Sequence, residues 1–242
     1  MGRADGKYAQ FAIDADRHVT VEPASKAVGL DMGLTHFYTD SAGEEKENPR
    51  LLRRAEKALR RLGRRVSRKV KGSRNRAKAR NRLGRKHLQV QRQRRDFAAK
   101  TARALVMSND VIAYEDLRVA NMVKNRHLSK SISDAGWRVF IRWLEYLARV
   151  YGKRVVAVPP EYTTQECSRC GTLVQKTLSE RTHVCPKCGL VLGRDHNAAR
   201  TVLGRVLVLL ADKLPPGMAE SYAWGKWTRY PGQETGRGKV AR

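Results

Sequence analysis

Four cysteines occur as two close pairs with the spacing of metal ligands. Cys167 and Cys170 form one Cys-x-x-Cys pair, and Cys185 and Cys188 form a second pair after fourteen intervening residues. A glycine follows each pair and permits the tight turn that directs two thiolates to one point. Four thiolates complete the tetrahedral cage that Zn²⁺ prefers and leave no open position for catalysis. The spacing predicts one structural zinc ion in a zinc ribbon, with two disulfides, free thiols or a ligand from His183 as the alternatives.

Three acidic residues lie at the boundaries of predicted elements. Asp31 follows the apolar run 27–30, Glu115 follows the apolar run 111–114, and Asp195 opens the last helix. Singly, each has a plain explanation as a turn residue, a solvated strand end or a helix N-cap. Together, at one edge of a sheet, they would form an acidic pocket whose carboxylate oxygens suit Mg²⁺ or Mn²⁺. Two such ions about 4 Å apart activate water and stabilise the leaving oxygen of a phosphodiester.

The charge of the chain indicates a polyanionic partner. The 242 residues include 50 Lys+Arg against 23 Asp+Glu, which gives a formal net charge of +27. Residues 50–95 hold 21 of the basic residues and a single acid, Glu56, so this segment carries +20 of the charge. Such an excess favours nucleic acid over an acidic metabolite. A membrane surface is the other polyanion, but no apolar run approaches the ~20 residues that would span a bilayer.

Within the basic segment, we expect Arg and Lys side chains to contact phosphates. Aromatic residues are nearly absent there, so the contact is expected to follow the backbone and shape of an RNA–DNA duplex rather than base stacking. The residues predicted to bind nucleic acid are Arg53, Arg54, Arg60, Arg61, Arg64, Arg65, Arg68 and Lys69.

The elements that must position these residues alternate between strands and helices. The periodicity of apolar residues predicts strands at 27–30, 34–39, 110–114 and 153–158, preceded by a short hairpin at 8–21. It predicts a helical hairpin, broken at 71–73, whose second helix covers 74–108, and a final helix from about Asp195. A further helix is predicted at 131–152 with Ser133 or Asp134 as its N-cap. Its inward face is predicted to carry Val139, Trp143, Tyr146 and Leu147.

Six segments, in the same order, resemble the TnpB (OrfB) proteins of bacterial and archaeal insertion sequences. They are GLDMGL at 29–34, ENPR at 47–50, DVIAYEDL at 110–117, KSISDAGW at 130–137, YTTQECSRCG at 162–171 and GRDHNAA at 193–199. The resemblance runs from about Val28 to Leu203. It implies an α/β fold of the RNase H-like (RuvC) class, with a basic helical hairpin and a zinc ribbon inserted. It also implies kinship with type V CRISPR effectors.

The resemblance implies a metal-dependent DNA endonuclease guided by RNA, of a kind often called transposase. Asp31, Glu115 and Asp195 match the three catalytic acids and would hold two Mg²⁺ or Mn²⁺ ions, and the four cysteines match the zinc ligands. Arg194, beside the third acid, is expected at the scissile phosphate, with a plain surface arginine as the alternative. Asn197 is expected to orient the turn or the metal shell. The implied partners are DNA and a guide RNA from the transposon end, with no membrane. The implied location is the prokaryotic cytoplasm, in association with the nucleoid.

Family members usually carry a longer N-terminal half, so the chain is expected to be an N-terminally truncated form, with a mis-called start or a minimal form that relies on a partner as the alternatives. The expected domains are a β-barrel remnant at 1–26, a nuclease domain at 27–160 that contains the basic helical hairpin 48–108, the zinc ribbon at 161–192, the last nuclease helix at 193–211 and a disordered tail at 212–242. Two alternatives stay open: a non-catalytic or truncated zinc-ribbon nucleic-acid-binding protein, and a classical strand-transfer transposase. The oligomeric state is not predicted.

Overall fold

The computed structural model describes residues 2–15, 17–177 and 179–210, and the tail predicted at 212–242 lies outside them. Its main sheet has five strands. After a two-residue pair, β1 (Gly2–Arg3) and β2 (Gly6–Lys7), come β3 (Ala27–Asp31), β4 (His36–Asp40), β5 (Glu45–Glu47), β6 (Val111–Glu115) and β7 (Arg154–Val158). The sheet order is β5-β4-β3-β6-β7. The first three sheet strands run antiparallel, whereas β3, β6 and β7 are parallel.

Six helices and a second small sheet are described. The helices are α1 (Leu51–Ser67), α2 (Arg74–Ser108), α3 (Val119–Met122), α4 (Ser129–Ala135), α5 (Trp137–Val150) and α6 (Arg194–Leu210), and the small sheet pairs β8 (Thr182–Val184) with β9 (Val191–Gly193). The strands predicted at 27–30, 34–39, 110–114 and 153–158 and the predicted final helix are thereby confirmed in type and approximate position. Among the described residues, no helix is both long and apolar enough to cross a bilayer.

Helices cover both faces of the sheet, and this explains why β3 and β6 are buried along their whole length. Successive side chains of a strand point to opposite faces. One face packs against α2 and α5, and it carries Val28, Leu30, Ile112 and Tyr114. The opposite face packs against α6, and it carries Ala27, Val111, Ala113 and Val158. By the same alternation, Asp31 and Glu115 belong to the face that α6 covers.

The predicted helical hairpin is present as α1 and α2, which we call the basic hairpin. Ser73 ends the break between the helices, because its hydroxyl accepts the backbone N–H of Arg76 at 3.1 Å and caps α2. The seam of the hairpin is thin and centres on Ala55, Leu59 and Val90. The second half of α2 leaves this seam and packs in the main core, so only its first half stands out with α1.

Two sequence predictions are wrong. The hairpin predicted at 8–21 is not formed: no strand is described there, and Phe11 and Ile13 are 84% and 73% exposed. None of the described strands pairs with this stretch. One backbone hydrogen bond, from the N–H of Val19 to the carbonyl of Val150, connects it to α5.

The helix predicted at 131–152 is divided into α4 and α5 at Gly136, whose φ of 69° lies in the left-handed region. The buried face of α5 differs in part from the predicted one. Trp137, Phe140, Leu144 and Ala148 face the core, and the predicted Trp143 and Leu147 pack against it while only partly buried, whereas Val139 is exposed.

Candidate functional site

Asp31 and Glu115 end two neighbouring parallel strands. The register that pairs Leu30 with Tyr114 brings the next residue of each strand, Asp31 and Glu115, side by side at the carboxyl edge of the sheet. The two residues are only 8% and 5% exposed. Asp31 is thus the buried last residue of a strand rather than a turn residue, and Glu115 is buried rather than a solvated strand end.

Asp195 comes to the same edge because α6 packs tightly on the sheet. A Cβ atom at Gly29 would lie 2.2 Å from the carbonyl oxygen of Ala199 and 2.8 Å from Cβ of Leu203. Asp195 lies one helical turn before Ala199, in the first turn of α6. Asp31 and Asp195 are 164 residues apart in the sequence, with Glu115 between them. The three acids therefore converge on one edge of the sheet.

The three carboxylates interact electrostatically. Burial raises the pKa of Asp31 well above its usual range, and repulsion from Glu115 and Asp195 raises it further, while Arg194 opposes the shift. Burial also raises the pKa of Glu115, and the hydroxyl of Thr163 and the charge of Arg205 act in the opposite direction. A divalent cation would relieve this repulsion. The arrangement is therefore suited to hard, oxygen-preferring cations.

Arg194 is a partner of the acid centre rather than an open surface residue. Its Nε lies 3.1 Å from Oδ1 of Asp195, and its guanidinium also donates to the carbonyl of Glu180 at 3.2 Å. Its side chain is 16% exposed. Arg194 thus connects the start of α6 to the loop that precedes β8.

The four cysteines form a compact cluster that could hold a metal ion. Their sulfur atoms all lie within 4.8 Å of one another, and Cys167–Cys188 and Cys170–Cys185 are each 3.6 Å apart. A tetrahedral zinc ion with Zn–S bonds of about 2.3 Å requires sulfur atoms roughly 3.8 Å apart, so the four thiolates fit Zn²⁺. Among the described residues, this is the one group of three or more potential ligands gathered so closely, and the three carboxylates stand wider apart.

The turns at the two cysteine pairs explain the glycine that follows each pair. Gly171 and Gly189 have φ values of 72° and 70°, and each donates its N–H to the carbonyl of the first cysteine of its pair at 2.9 Å. His183 is fully buried but lies outside the sulfur cluster, with its Nδ1 against Nζ of Lys176. The alternative of His183 as a ligand is therefore not supported.

Asn197 and Thr163 have hydrogen-bond partners that the sequence does not reveal. The side chain of Asn197 contacts the backbone on both sides of Cys167 rather than the acid centre. The hydroxyl of Thr163 donates to the carboxylate of Glu115. Thr163 lies in the segment YTTQEC and Asn197 lies in the segment GRDHNAA. Neither segment indicates which atoms these two side chains contact.

The exposed face of α1 and the turn that follows it carry the residues predicted to bind nucleic acid. All eight are exposed: Arg53, Arg54, Arg60, Arg61, Arg64, Arg65, Arg68 and Lys69. The lone acid, Glu56, is neutralised by Arg60 and Lys130. At the base of α1 lies a cavity of about 590 Å³, and basic residues that the sequence analysis did not select contribute to its walls, namely Arg50, His127 and Lys130.

Comparison with known proteins gives the same family over most of the chain. The OrfB model, described as "Probable transposase", matches residues 10–126, and the model "Cas12f1-like, TNB domain" matches residues 137–202. A "Putative RNA-guided DNA endonuclease" of Streptomyces pristinaespiralis is 40% identical over 196 residues, which are 80% of this chain and 48% of the relative. The "Putative RNA-guided DNA endonuclease InsQ" of Escherichia coli K12 is 34% identical over 220 residues, 84% of this chain and 55% of the relative.

Among solved structures, the cryo-EM structure of the Cas12f1–sgRNA–target DNA complex has a similar fold. The TM-score is 0.53 at 15% identity, over 78% of this chain and 52% of that protein. The chain spans about half the length of the relatives it matches.

Proposed function

The chain belongs to the TnpB (OrfB) family of transposon proteins, and we propose that it carries the cutting centre of an RNA-guided DNA endonuclease. In this proposal Asp31, Glu115 and Asp195 are the catalytic residues. The reaction is the hydrolysis of a DNA phosphodiester that depends on Mg²⁺ or Mn²⁺. The observation that carries the proposal is the convergence of these three carboxylates at the carboxyl edge of β3 and β6.

The topology supports an RNase H-like (RuvC) domain. Three antiparallel strands followed by two parallel ones, with helices on both faces, match the sheet that such a domain requires. We propose that 27–160 and 193–211 form this domain and that 161–192 form the zinc ribbon. The four cysteines would hold one Zn²⁺ with a purely structural role, since four thiolates leave no open position.

The residues of the centre fit two divalent cations. Bound there, such ions would activate a water and stabilise the leaving oxygen of the phosphodiester. Asp31 and Glu115 present their carboxylate oxygens from the ends of two paired strands. Arg194 holds Asp195 through an ion pair and places a positive charge beside the carboxylates. We expect this charge to draw the scissile phosphate towards the acids.

The basic hairpin supplies the affinity for nucleic acid. The exposed arginines of α1 would contact phosphates, which gives binding without sequence preference. Target choice would then depend on a guide RNA from the transposon end, in line with the names of the relatives. We propose that the guide RNA and the target DNA are the two partners of the chain.

The direct test compares the wild type with Asp31→Asn. Both proteins are loaded with zinc, mixed with RNA from the transposon end and a DNA duplex that matches the guide, and given Mg²⁺. We expect the wild type to cut the DNA, and Asp31→Asn to bind it with the same affinity but leave it uncut. Asp116→Asn, which changes an exposed acid next to Glu115, is the matched control and should cut normally.

Other outcomes would support other functions. DNA ends joined to new targets by the wild type would indicate a strand-transfer transposase. Tight binding with no cleavage, even when the segment of the relatives that this chain does not match is supplied as a separate polypeptide, would indicate a nucleic-acid-binding protein without a nuclease centre. Cleavage by Asp31→Asn at the sites that the wild type cuts would exclude the assigned centre.

A further inference from the structure

Three polar side chains follow one another along one face of α6. Asn197, Thr201 and Arg205 are each four residues apart, the spacing that aligns side chains on a helix. Asn197 and Thr201 are 0% exposed, and the side chain of Arg205 is 11% exposed. All three contact the segment 159–168, which leads from β7 into the first cysteine pair and which we call the strap.

Asn197 and Thr201 hold the strap where it enters the zinc ribbon. Nδ2 of Asn197 donates to the carbonyl of Glu166 at 2.7 Å, and Oδ1 accepts the N–H of Ser168 at 3.0 Å. The single side-chain amide therefore spans the backbone on both sides of Cys167. The hydroxyl of Thr201 donates to the same Glu166 carbonyl at 3.3 Å. Because these atoms are buried, loss of the Asn197 side chain would deprive the N–H of Ser168 of its partner, whereas the carbonyl of Glu166 would keep the hydroxyl of Thr201.

Arg205 holds the beginning of the strap. Its guanidinium lies 2.8 Å from the carboxylate of Glu166 and donates to the carbonyls of Pro159 at 2.8 Å and Glu161 at 2.9 Å. The carboxylate of Glu166 is nearly buried, with 5% of the side chain exposed. Ion pairing and two backbone contacts thus fix the strap at both ends against α6.

Between these two attachments lies Thr163, whose hydroxyl donates to the carboxylate of Glu115. Thr163 is 2% exposed, so water does not compete for this contact. The strap is therefore joined to the zinc ribbon at Cys167, to α6 at three side chains and to the acid centre at Thr163.

We propose that Asn197, Thr201 and Arg205 form a latch that couples the zinc ribbon to the acid centre, and that Thr163 is the positioning residue through which the strap holds Glu115. This inference rests on the proposed divalent-metal centre. The hydrogen-bond partners of a ligating carboxylate fix its orientation, and their loss typically lowers metal affinity by about 10–100-fold. A four-thiolate ribbon folds only when zinc is bound. Zinc in the ribbon therefore strengthens the binding of divalent cations at a centre to which no cysteine contributes.

Hydrogen exchange tests the coupling without any cleavage assay. The full chain is compared with and without zinc, after removal by a zinc-selective chelator in buffer that lacks Mg²⁺ and Mn²⁺. We expect exchange to rise in 167–193, in the strap, and at the end of β6 around 113–116. An increase confined to 167–193 would overturn the proposal, because it would mean that the ribbon unfolds without disturbing the centre.

Binding of Mn²⁺ to the zinc-loaded chain tests the positioning residue. Thr163→Val keeps the shape of the side chain and removes the donor, so we expect Mn²⁺ affinity to fall by about tenfold or more while one zinc is retained. Thr163→Ser restores the donor and should restore the affinity. Thr182→Val, which changes an exposed threonine on β8, is the matched control and should bind as the wild type does.

The outcomes separate this inference from the proposed function. Unchanged Mn²⁺ affinity in Thr163→Val would overturn the role of Thr163. If Asp31→Asn binds Mn²⁺ as tightly as the wild type, the proposed centre is wrong, whereas the exchange experiment still decides whether the strap couples ribbon and sheet. Asn197→Ala extends the test, because coupling is reciprocal and this variant should lose both zinc affinity and Mn²⁺ affinity.

Discussion

Gly29 of β3 and Ala199 of α6 lie so close that a Cβ atom at Gly29 would stand 2.2 Å from the carbonyl oxygen of Ala199. Helix and sheet can meet at this distance only because residue 29 has no side chain. The contact sets the position of Asp195, one turn before Ala199, relative to Asp31, two residues after Gly29. The geometry of the acid centre therefore depends on a residue that takes no part in the chemistry.

Gly29→Ala should destabilise the protein. The added methyl group overpacks the core, which typically costs about 1–3 kcal/mol, and the denaturant midpoint of unfolding should fall accordingly. Gly63→Ala is the control, since a Cβ there meets nothing within 4 Å. It lies inside α1, where alanine should stabilise the helix by roughly 0.5–1 kcal/mol. Equal midpoints for Gly29→Ala and the wild type would contradict the tight contact.

Cys167→Ser should release the zinc. The purified wild type is expected to contain about one zinc per chain, and the variant much less, because three thiolates hold the ion more weakly than four. Elemental analysis of the purified proteins measures both. His183→Gln should keep its zinc, since His183 lies outside the sulfur cluster. A wild type that contains no zinc after anaerobic preparation would refute the site.

Removing positive charge from α1 should weaken the binding of nucleic-acid duplexes of different sequence to a similar extent. In the variant with Arg60, Arg61, Arg64 and Arg65 changed to Gln, the log–log slope of affinity against salt should flatten by about 0.9 per lost phosphate contact. Fluorescence anisotropy at several salt concentrations measures this slope. A variant with Arg138, Arg142 and Arg149 of α5 changed to Gln is the control. If the two variants weaken binding equally per residue, α1 is not the principal nucleic-acid surface.

Asp134→Ala should loosen the base of α1. Its two carboxylate oxygens accept the backbone N–H groups of Leu52 at 2.8 Å and Arg53 at 3.0 Å, and thereby cap α1 from α4. Removing a capping side chain costs about 0.5–2 kcal/mol. Denaturant unfolding should detect this loss, whereas Ser133→Ala, at the exposed neighbouring position, should leave stability unchanged.

Asp31→Asn should stabilise the zinc-loaded protein when Mg²⁺ and Mn²⁺ are absent. Burial and the neighbouring acids raise the pKa of Asp31 in the folded state, so its ionisation opposes folding at pH values above its ordinary pKa of 3.8. The advantage of the variant should therefore be present at pH 7 and disappear near pH 4 and below. Thermal unfolding across this range measures it, with Asp116→Asn as control.

Divalent cations should make the wild type more stable than Asp31→Asn. At about 100 times its dissociation constant, Mn²⁺ should stabilise the wild type by about 2.7 kcal/mol and Asp31→Asn by less. The same stabilisation of both proteins would mean that Asp31 does not contribute to the cation site.

The local features of the chain were predictable from its sequence. Two Cys-x-x-Cys pairs, each followed by a glycine, predict the zinc-binding cluster, because the spacing within each pair alone directs its two sulfur atoms. Apolar periodicity and the break at 71–73 predict the basic hairpin. Two apolar runs predict that Asp31 and Glu115 lie at strand ends. Parallel strands bring their carboxyl ends to one edge of the sheet, so the two acids can be neighbours.

Tertiary structure alone decided the partners of the side chains. Asp134 caps α1 by accepting the N–H of Leu52, 82 residues earlier, and Thr163 contacts Glu115 across 48 residues, so neither pairing leaves a periodic signal. The division at Gly136 and the exposed stretch 8–21 also depend on which surfaces are available for packing. Spacing along the chain determines which groups a short segment can present, whereas long-range packing determines which groups meet, and only the latter joins the zinc ribbon, α6 and the acid centre.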